Sequence, residues 1–125
     1  MTSIELRKPS SIPYLSNIQA VQEALSSDDN RFVLLVFTAS WCGPCHAMKP
    51  FVESLQTTYS TISVFYIDVA VAEDVVQAFQ VTSMPTYCLF QGTTVLDRFS
   101  GADKDKLGQL VQAFVGQRSN EIKSL

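Results

Sequence analysis

The chain has 125 residues, 46% of them hydrophobic and 17% charged, which suits one domain with a real core and excludes a charge-rich disordered chain. Its net charge of −3 comes without any stripe of Lys and Arg, which excludes an electrostatic footprint for nucleic acid. No apolar run is long enough to span a bilayer. Residues 1–11 are polar, contain Pro9 and carry charges at Glu5, Arg7 and Lys8 with no apolar stretch behind them. They read as a flexible N-terminal extension and not as a secretory signal, so a cytoplasmic location is expected, where thiols are kept reduced.

Residues 12–14 are a candidate short edge strand. Ser16-Asn17-Ile18-Gln19 has the form of a capping box, and Ile18, Val21 and Leu25 follow at helical spacing, so a first helix is expected to end near Ser26. Asp28-Asp29-Asn30 is a turn. Residues 32–37 are continuously apolar with β-branched valines, the pattern of a strand covered on both faces. Met48, Phe51, Val52, Leu55 and Tyr59 mark one face of a second helix, with Pro50 inside it expected to kink it. Residues 62–67 form a second buried strand, and residues 73–79 a short helix with Val75, Val76 and Phe79 inward. Residues 86–90 and 94–99 are strands joined at Gln91-Gly92-Thr93, a hairpin signal. Asp103 can cap a last helix whose inner face carries Leu107, Leu110, Val111, Phe114 and Val115. Asp103, Lys104, Asp105 and Lys106 then read as its solvated start. Residues 117–125 are a polar C-terminal tail. Strands alternating with helices, closed by a hairpin, imply an α/β domain over residues 12–116 with a mixed sheet.

Where the first strand hands over to the second helix lies Trp41-Cys42-Gly43-Pro44-Cys45. A thiol at a helix N-terminus sits among unpaired backbone N–H groups and the positive end of the dipole, and both favour a thiolate at Cys42. The thiolate is the nucleophile of thiol–disulfide exchange. Cys45, one turn further in, can attack the mixed disulfide that Cys42 forms, so the spacing supplies an attacking and a resolving sulfur. Zinc sites use the same C-x-x-C spacing but normally need four ligands. Only Cys88, in an apolar strand, and His46, adjacent to Cys45 and so turned about 100° away on a helix, remain to supply them. No metal is expected.

The full Trp41–Cys45 string is identical to the thioredoxin active-site motif. Pro50 matches that family's kink proline, Met84-Pro85-Thr86 its cis-proline segment, and Gln91-Gly92-Thr93 and Ser100-Gly101-Ala102 its two late glycine sites. These landmarks, in the right order, cover nearly the whole domain. The resemblance implies a thioredoxin fold, a central mixed β-sheet of four to five strands flanked by four helices. It implies a protein-disulfide reductase and electron carrier in cell redox homeostasis, cycling a Cys42–Cys45 disulfide. It implies no bound cofactor, electrons from NADPH through a thioredoxin reductase, disulfide-containing clients and a monomer. Carried over by position, Trp41, Gly43, Pro44, Asp68 and Pro85 would support the dithiol. Trp41, Gly43, Pro44, Met84, Pro85, Gly101 and Ala102 would form the substrate groove, with Asp68 accepting the Trp41 indole N–H.

Two positions depart from the family pattern. Val36 stands where thioredoxins usually bury an aspartate that takes the proton of the resolving cysteine, and Val64 where bacterial members carry a lysine. Losing both partners together removes a costly buried polar pair. His46 stands where the family often has lysine; protonated, it would tune the Cys42 thiolate, and otherwise it is a solvated residue of the first turn. Cys88 is a regulatory thiol or a small core residue. The departures leave a second function class open beside the reductase, an interaction module dedicated to one partner with weak general activity.

Overall fold

The computed structural model describes residues 12–116; the expected N-terminal extension and C-terminal tail lie outside the described residues. Four helices and four strands alternate: α1 (Ile18–Ser26), β1 (Phe32–Thr38), α2 (Gly43–Thr58), β2 (Ile62–Asp68), α3 (Glu73–Phe79), β3 (Thr86–Gln91), β4 (Thr94–Ser100) and α4 (Lys104–Val111), with a π-helical turn at Gln112–Gly116. The strands form one sheet in the order β2-β1-β3-β4. β1 is parallel to β2 and antiparallel to β3, and β3 is antiparallel to β4. No helix among the described residues is long and apolar enough to cross a membrane.

All seven residues of β1 are buried, as a continuous apolar run requires of a strand covered on both sides. Phe32, Leu34 and Val36 face a layer built by Met48, Val52 and Leu55 of α2 and Leu107, Leu110 and Val111 of α4. Val33, Leu35 and Phe37 face the opposite layer, filled by Val21 and Leu25 of α1 and Val75 of α3. Alternation along the strand thus assigns each helix to a side. α2 runs through Pro50 as one element, with the proline on its exposed surface.

Some expectations change. The N-cap of α1 is Asn17, one residue later than a Ser16 capping box would put it; Asn17 Oδ1 accepts from Ala20 N–H at 2.8 Å. An asparagine oxygen reaches this donor well, so the cap falls where it first fits. The edge strand at 12–14 reduces to one parallel bridge between Tyr14 and Tyr66. Pro13 has no N–H to extend the ladder; its carbonyl accepts from Tyr66 N–H and Leu15 N–H donates to Tyr66 O, each at 3.0 Å. Phe114 leaves the core face because the last turn is π-helical, and its wider winding carries this side chain out of phase with Leu107. Val75, Val76 and Phe79 face inward as expected: Val75 is fully buried, and Val76 and Phe79, half-buried, pack against the same layer, Phe79 against Phe37 and Phe90.

The hairpin and the short helix are locked by specific contacts. Gly92 has φ +58°, and a Cβ there would come within 2.8 Å of the Asp29 carbonyl oxygen, so only glycine closes this turn. Arg98 of β4 donates to the carbonyls of Phe79 and Gln80 at the end of α3, placing a cation at the negative end of the helix. Asp74 Oδ2 accepts from Ile18 N–H at 2.9 Å and ties α3 to the start of α1.

Two phenols lie in the α2/α4 layer. Tyr66 and Tyr87 are the β2 and β3 partners of Val36. Their hydroxyls are buried without a hydrogen-bond partner among the described residues. Burial pushes the Tyr87 phenol up to about 12 and raises Tyr66 as well, helped by the charge of Glu53. A buried hydroxyl without a partner costs stability. Tyr87→Phe is therefore expected to leave the urea midpoint unchanged or to raise stability by about 1 kcal/mol, whereas Tyr87→Ala, which opens a cavity, costs about 3–5 kcal/mol.

Cys88 sits in the middle of β3, 1% exposed. Burial pushes its thiol up to about 11, with the Arg98 charge pulling the other way. The reading as a core residue holds, since a raised pKa and no access leave little thiolate. In the oxidised protein no thiol should react with a disulfide reagent until denaturant is added, when one should appear. The folded thiol keeps its proton above the ordinary value of 9.0, up to about 11. Stability from this group is thus complete below pH 9 and declines as pH rises toward 11. Urea titrations in that window should show a shallower decline for Cys88→Ala.

Candidate active site

β1 and β2 are parallel, and their C-terminal ends coincide at the pair Thr38 and Asp68. Beyond that edge the chain turns through residues 39–42 into α2. Cys42 is the N-cap of α2, with extended backbone at φ −92° and ψ 102°. Its Sγ accepts from Cys45 N–H at 3.1 Å, its N–H donates to Ala39 O at 3.1 Å, and its carbonyl accepts from His46 N–H at 3.2 Å. Pro44 fits the first turn because its missing N–H would have no intrahelical acceptor. Cys42 and Cys45 are joined as a disulfide with Cα atoms 5.3 Å apart. When the pair is reduced, the Cys45 N–H and the helix N-terminus stand ready to stabilise a Cys42 thiolate.

The two cysteines are buried, and with Ala39 they form a small apolar cluster capped by Val69 and Met84. The Met84–Pro85 peptide is cis. Pro85 O accepts from Gly101 N–H at 2.9 Å. Gly101 has φ +117°, a conformation that favours glycine. The fold therefore packs Met84 against the dithiol, with Pro85 next in the chain, Gly101 bonded to Pro85 and Ala102 exposed after Gly101. Trp41, next to Cys42 in the chain, is 65% exposed. Gly43 is exposed, and a Cβ there would meet nothing within 4 Å.

Asp68 takes a different role from the one the resemblance implied. Its Oδ1 accepts from Ala70 N–H at 2.9 Å, and its carbonyl accepts from Val71 and Ala72 N–H at 3.0 and 2.9 Å. The side chain closes the turn that leads into α3, an Asx-type use of one carboxylate oxygen. Among the described residues, Trp41 has no hydrogen bond to it.

Val36 and Val64 are both buried, 3% and 1% exposed, in the layer under α2. The charges nearest this layer are those of Glu53 and Lys49 of α2, which act on the Tyr66 ring beside Val36, with Lys49 Nζ 5.3 Å from its centroid. His46 is exposed, yet its ring is held: Nε2 donates to Ser40 O at 2.9 Å. Sequence reasoning missed Ala39 and Val69 as the walls around the sulfurs. A signal existed for Val69, which follows the C-terminal end of a strand parallel to β1, the edge where α/β sheets place their sites. Among the described residues no three His, Cys, Asp or Glu side chains cluster to hold a metal.

The comparisons agree with this geometry. A family model described as Thioredoxin matches residues 15–113. The thioredoxin of Equus caballus is 36% identical over 104 residues, covering 83% of this chain and 99% of that one. The thioredoxin of Homo sapiens is 38% identical over 96 residues, covering 77% and 91%. Among solved structures, Fasciola hepatica thioredoxin superposes with a TM-score of 0.79 at 28% identity, over 82% of this chain and 98% of that one. With a dithiol at the N-terminus of α2, Met84 of a cis Met84–Pro85 peptide packed against it and these relatives along nearly its whole described length, the chain belongs to the thioredoxin family and is a thiol–disulfide oxidoreductase of the protein-disulfide reductase type.

Proposed function

We propose that the chain is a general protein-disulfide reductase and electron carrier of the cytoplasm, recharged by NADPH through a thioredoxin reductase and working as a monomer with no cofactor of its own. The observation that carries it is the Cys42–Cys45 pair at a helix N-terminus, with Sγ of Cys42 facing the Cys45 N–H. Kinship with mammalian thioredoxins supports the electron source. No observation favours the dedicated interaction module.

In the reduced state the Cys42 thiolate attacks one sulfur of a client disulfide. The client S–S bond breaks, its second sulfur leaves as a thiolate, and a mixed disulfide joins Cys42 to the client. Cys45 then loses its proton and its sulfur attacks Sγ of Cys42. The mixed disulfide breaks and the client's second thiol is released. Two electrons have passed from the dithiol to the client. The groove of Trp41, Met84, Pro85, Gly101 and Ala102 would hold the client chain while this happens, in the manner of strand addition.

The proton of Cys45 has no buried carboxylate to go to, because Val36 occupies that place in the α2 layer. It passes to water or to the departing client thiolate.

Insulin reduction with NADPH and a thioredoxin reductase tests the reading. Steady turnover is expected, abolished in Cys42→Ser, while Cys45→Ser should accumulate the mixed disulfide. Absence of turnover in a protein whose disulfide still cycles with dithiothreitol would overturn it. Val36→Asp should move the pH–rate profile of the resolving step; an unchanged profile would show that the valine does not govern where the proton goes.

A further inference from the structure

The His46 ring has no part in the exchange steps, yet it is fixed. His46 follows Cys45 in the first turn of α2, and its ring folds back past the N-cap to donate Nε2–H to the Ser40 carbonyl at 2.9 Å. A carbonyl oxygen only accepts, so Nε2 carries the proton in the neutral ring as well as in the cation. The contact closes the turn at residues 40–41 from the helix side. The other closure is Cys42 N–H to Ala39 O at 3.1 Å. Between these two ties stands Trp41, 65% exposed. Its indole N–H has no hydrogen bond among the described residues, and Asp68 Oδ1 accepts from Ala70 N–H.

We propose that His46 is a positioning residue for client binding, which holds the Ser40–Trp41 turn in place through its Nε2–H and so keeps Trp41 as a preformed wall of the client groove. The inference rests on the reductase reading for its kinetic consequence. A wall fixed beforehand spares the client the entropy of ordering it. His46 acts through the turn, and the sulfur chemistry proceeds without it. The loss therefore falls on binding: KM should rise while kcat stays.

Trp41 is the only tryptophan in the chain, so fluorescence excited selectively at the indole, away from tyrosine absorption, reports this turn alone. His46→Ala is expected to raise the apparent KM for insulin about fivefold, the size of one hydrogen bond, with kcat unchanged. In the oxidised protein without client, it should also lower the fluorescence anisotropy of Trp41. His46→Gln, whose amide N–H can reach the same carbonyl, should restore both readings, and His46→Leu should restore neither. Native KM and anisotropy in His46→Ala would overturn the proposal. So would a loss that glutamine fails to repair, since that would mark an effect of the imidazolium charge on Cys42. If the unaltered protein does not reduce insulin, the reductase reading falls by itself, and the anisotropy of the three variants still decides whether His46 holds the turn.

Discussion

Burial of β1 on both faces is the constraint on which the rest of the structure depends. Its seven side chains are divided between two apolar layers, and each layer recruits its own pair of helices. A strand placed in this way cannot slip by one residue without exchanging the two layers. Its last residue is therefore fixed, and with it the short turn into α2. Cys42 reaches the helix N-cap because β1 ends at Thr38 and α2 begins at Gly43. The polarisation of the thiol is thus a consequence of sheet packing, delivered four residues downstream.

Much of this was legible in the sequence because the signals were periodic or categorical. The apolar run at 32–37, the helical stripe from Met48 to Leu55 and the glycine of the hairpin all reflect strong local physics, and each element appears where its pattern ends. The cysteine pair was legible for the same reason, since a C-x-x-C between a strand and a helix has little freedom. What stayed hidden depends on choices between near-equal partners. Asn17 takes the cap in place of Ser16 because two neighbouring polar residues compete for one set of donors. Asp68 could serve Trp41 or the adjacent turn, and only the three-dimensional path shows it bonded to Ala70. The His46 contact spans six residues across a helix start and has no sequence signature. Phe114 kept the right spacing for an α-helix, but the last turn winds differently.

The layer beneath the dithiol shows how a family scaffold absorbs the loss of a buried polar pair. Valines at 36 and 64 leave the Tyr66 hydroxyl as the polar group of β1 and β2 in this apolar layer. The neighbouring phenols of Tyr66 and Tyr87 bring bulk, and their rings pack against Tyr14 and Phe99 with centroids 5.3 and 5.1 Å apart. Each such ring pair adds about 0.5–1.5 kcal/mol beyond its area burial, which offsets part of the roughly 1–3 kcal/mol cost of a buried hydroxyl without a partner. The polarity that remains around the sulfurs is supplied by backbone N–H groups and by the helix end, groups that do not titrate. Thiolate stabilisation from that source persists across the whole physiological pH range.

The bulge between β3 and β4 reaches beyond the hairpin itself. Leu89 pairs with Asp97, and Phe90 pairs next with Val95, so Leu96 is left as an extra residue turned toward the core. Beside it, Asp97 and Arg98 are exposed, and Arg98 is anchored to the end of α3. An outer strand that is kinked, charged and tethered is a poor template for another chain. A protein whose work is to meet disulfide-bonded clients thereby keeps this rim of its sheet from zipping onto their extended segments, and encounters at the dithiol can end in release instead of aggregation.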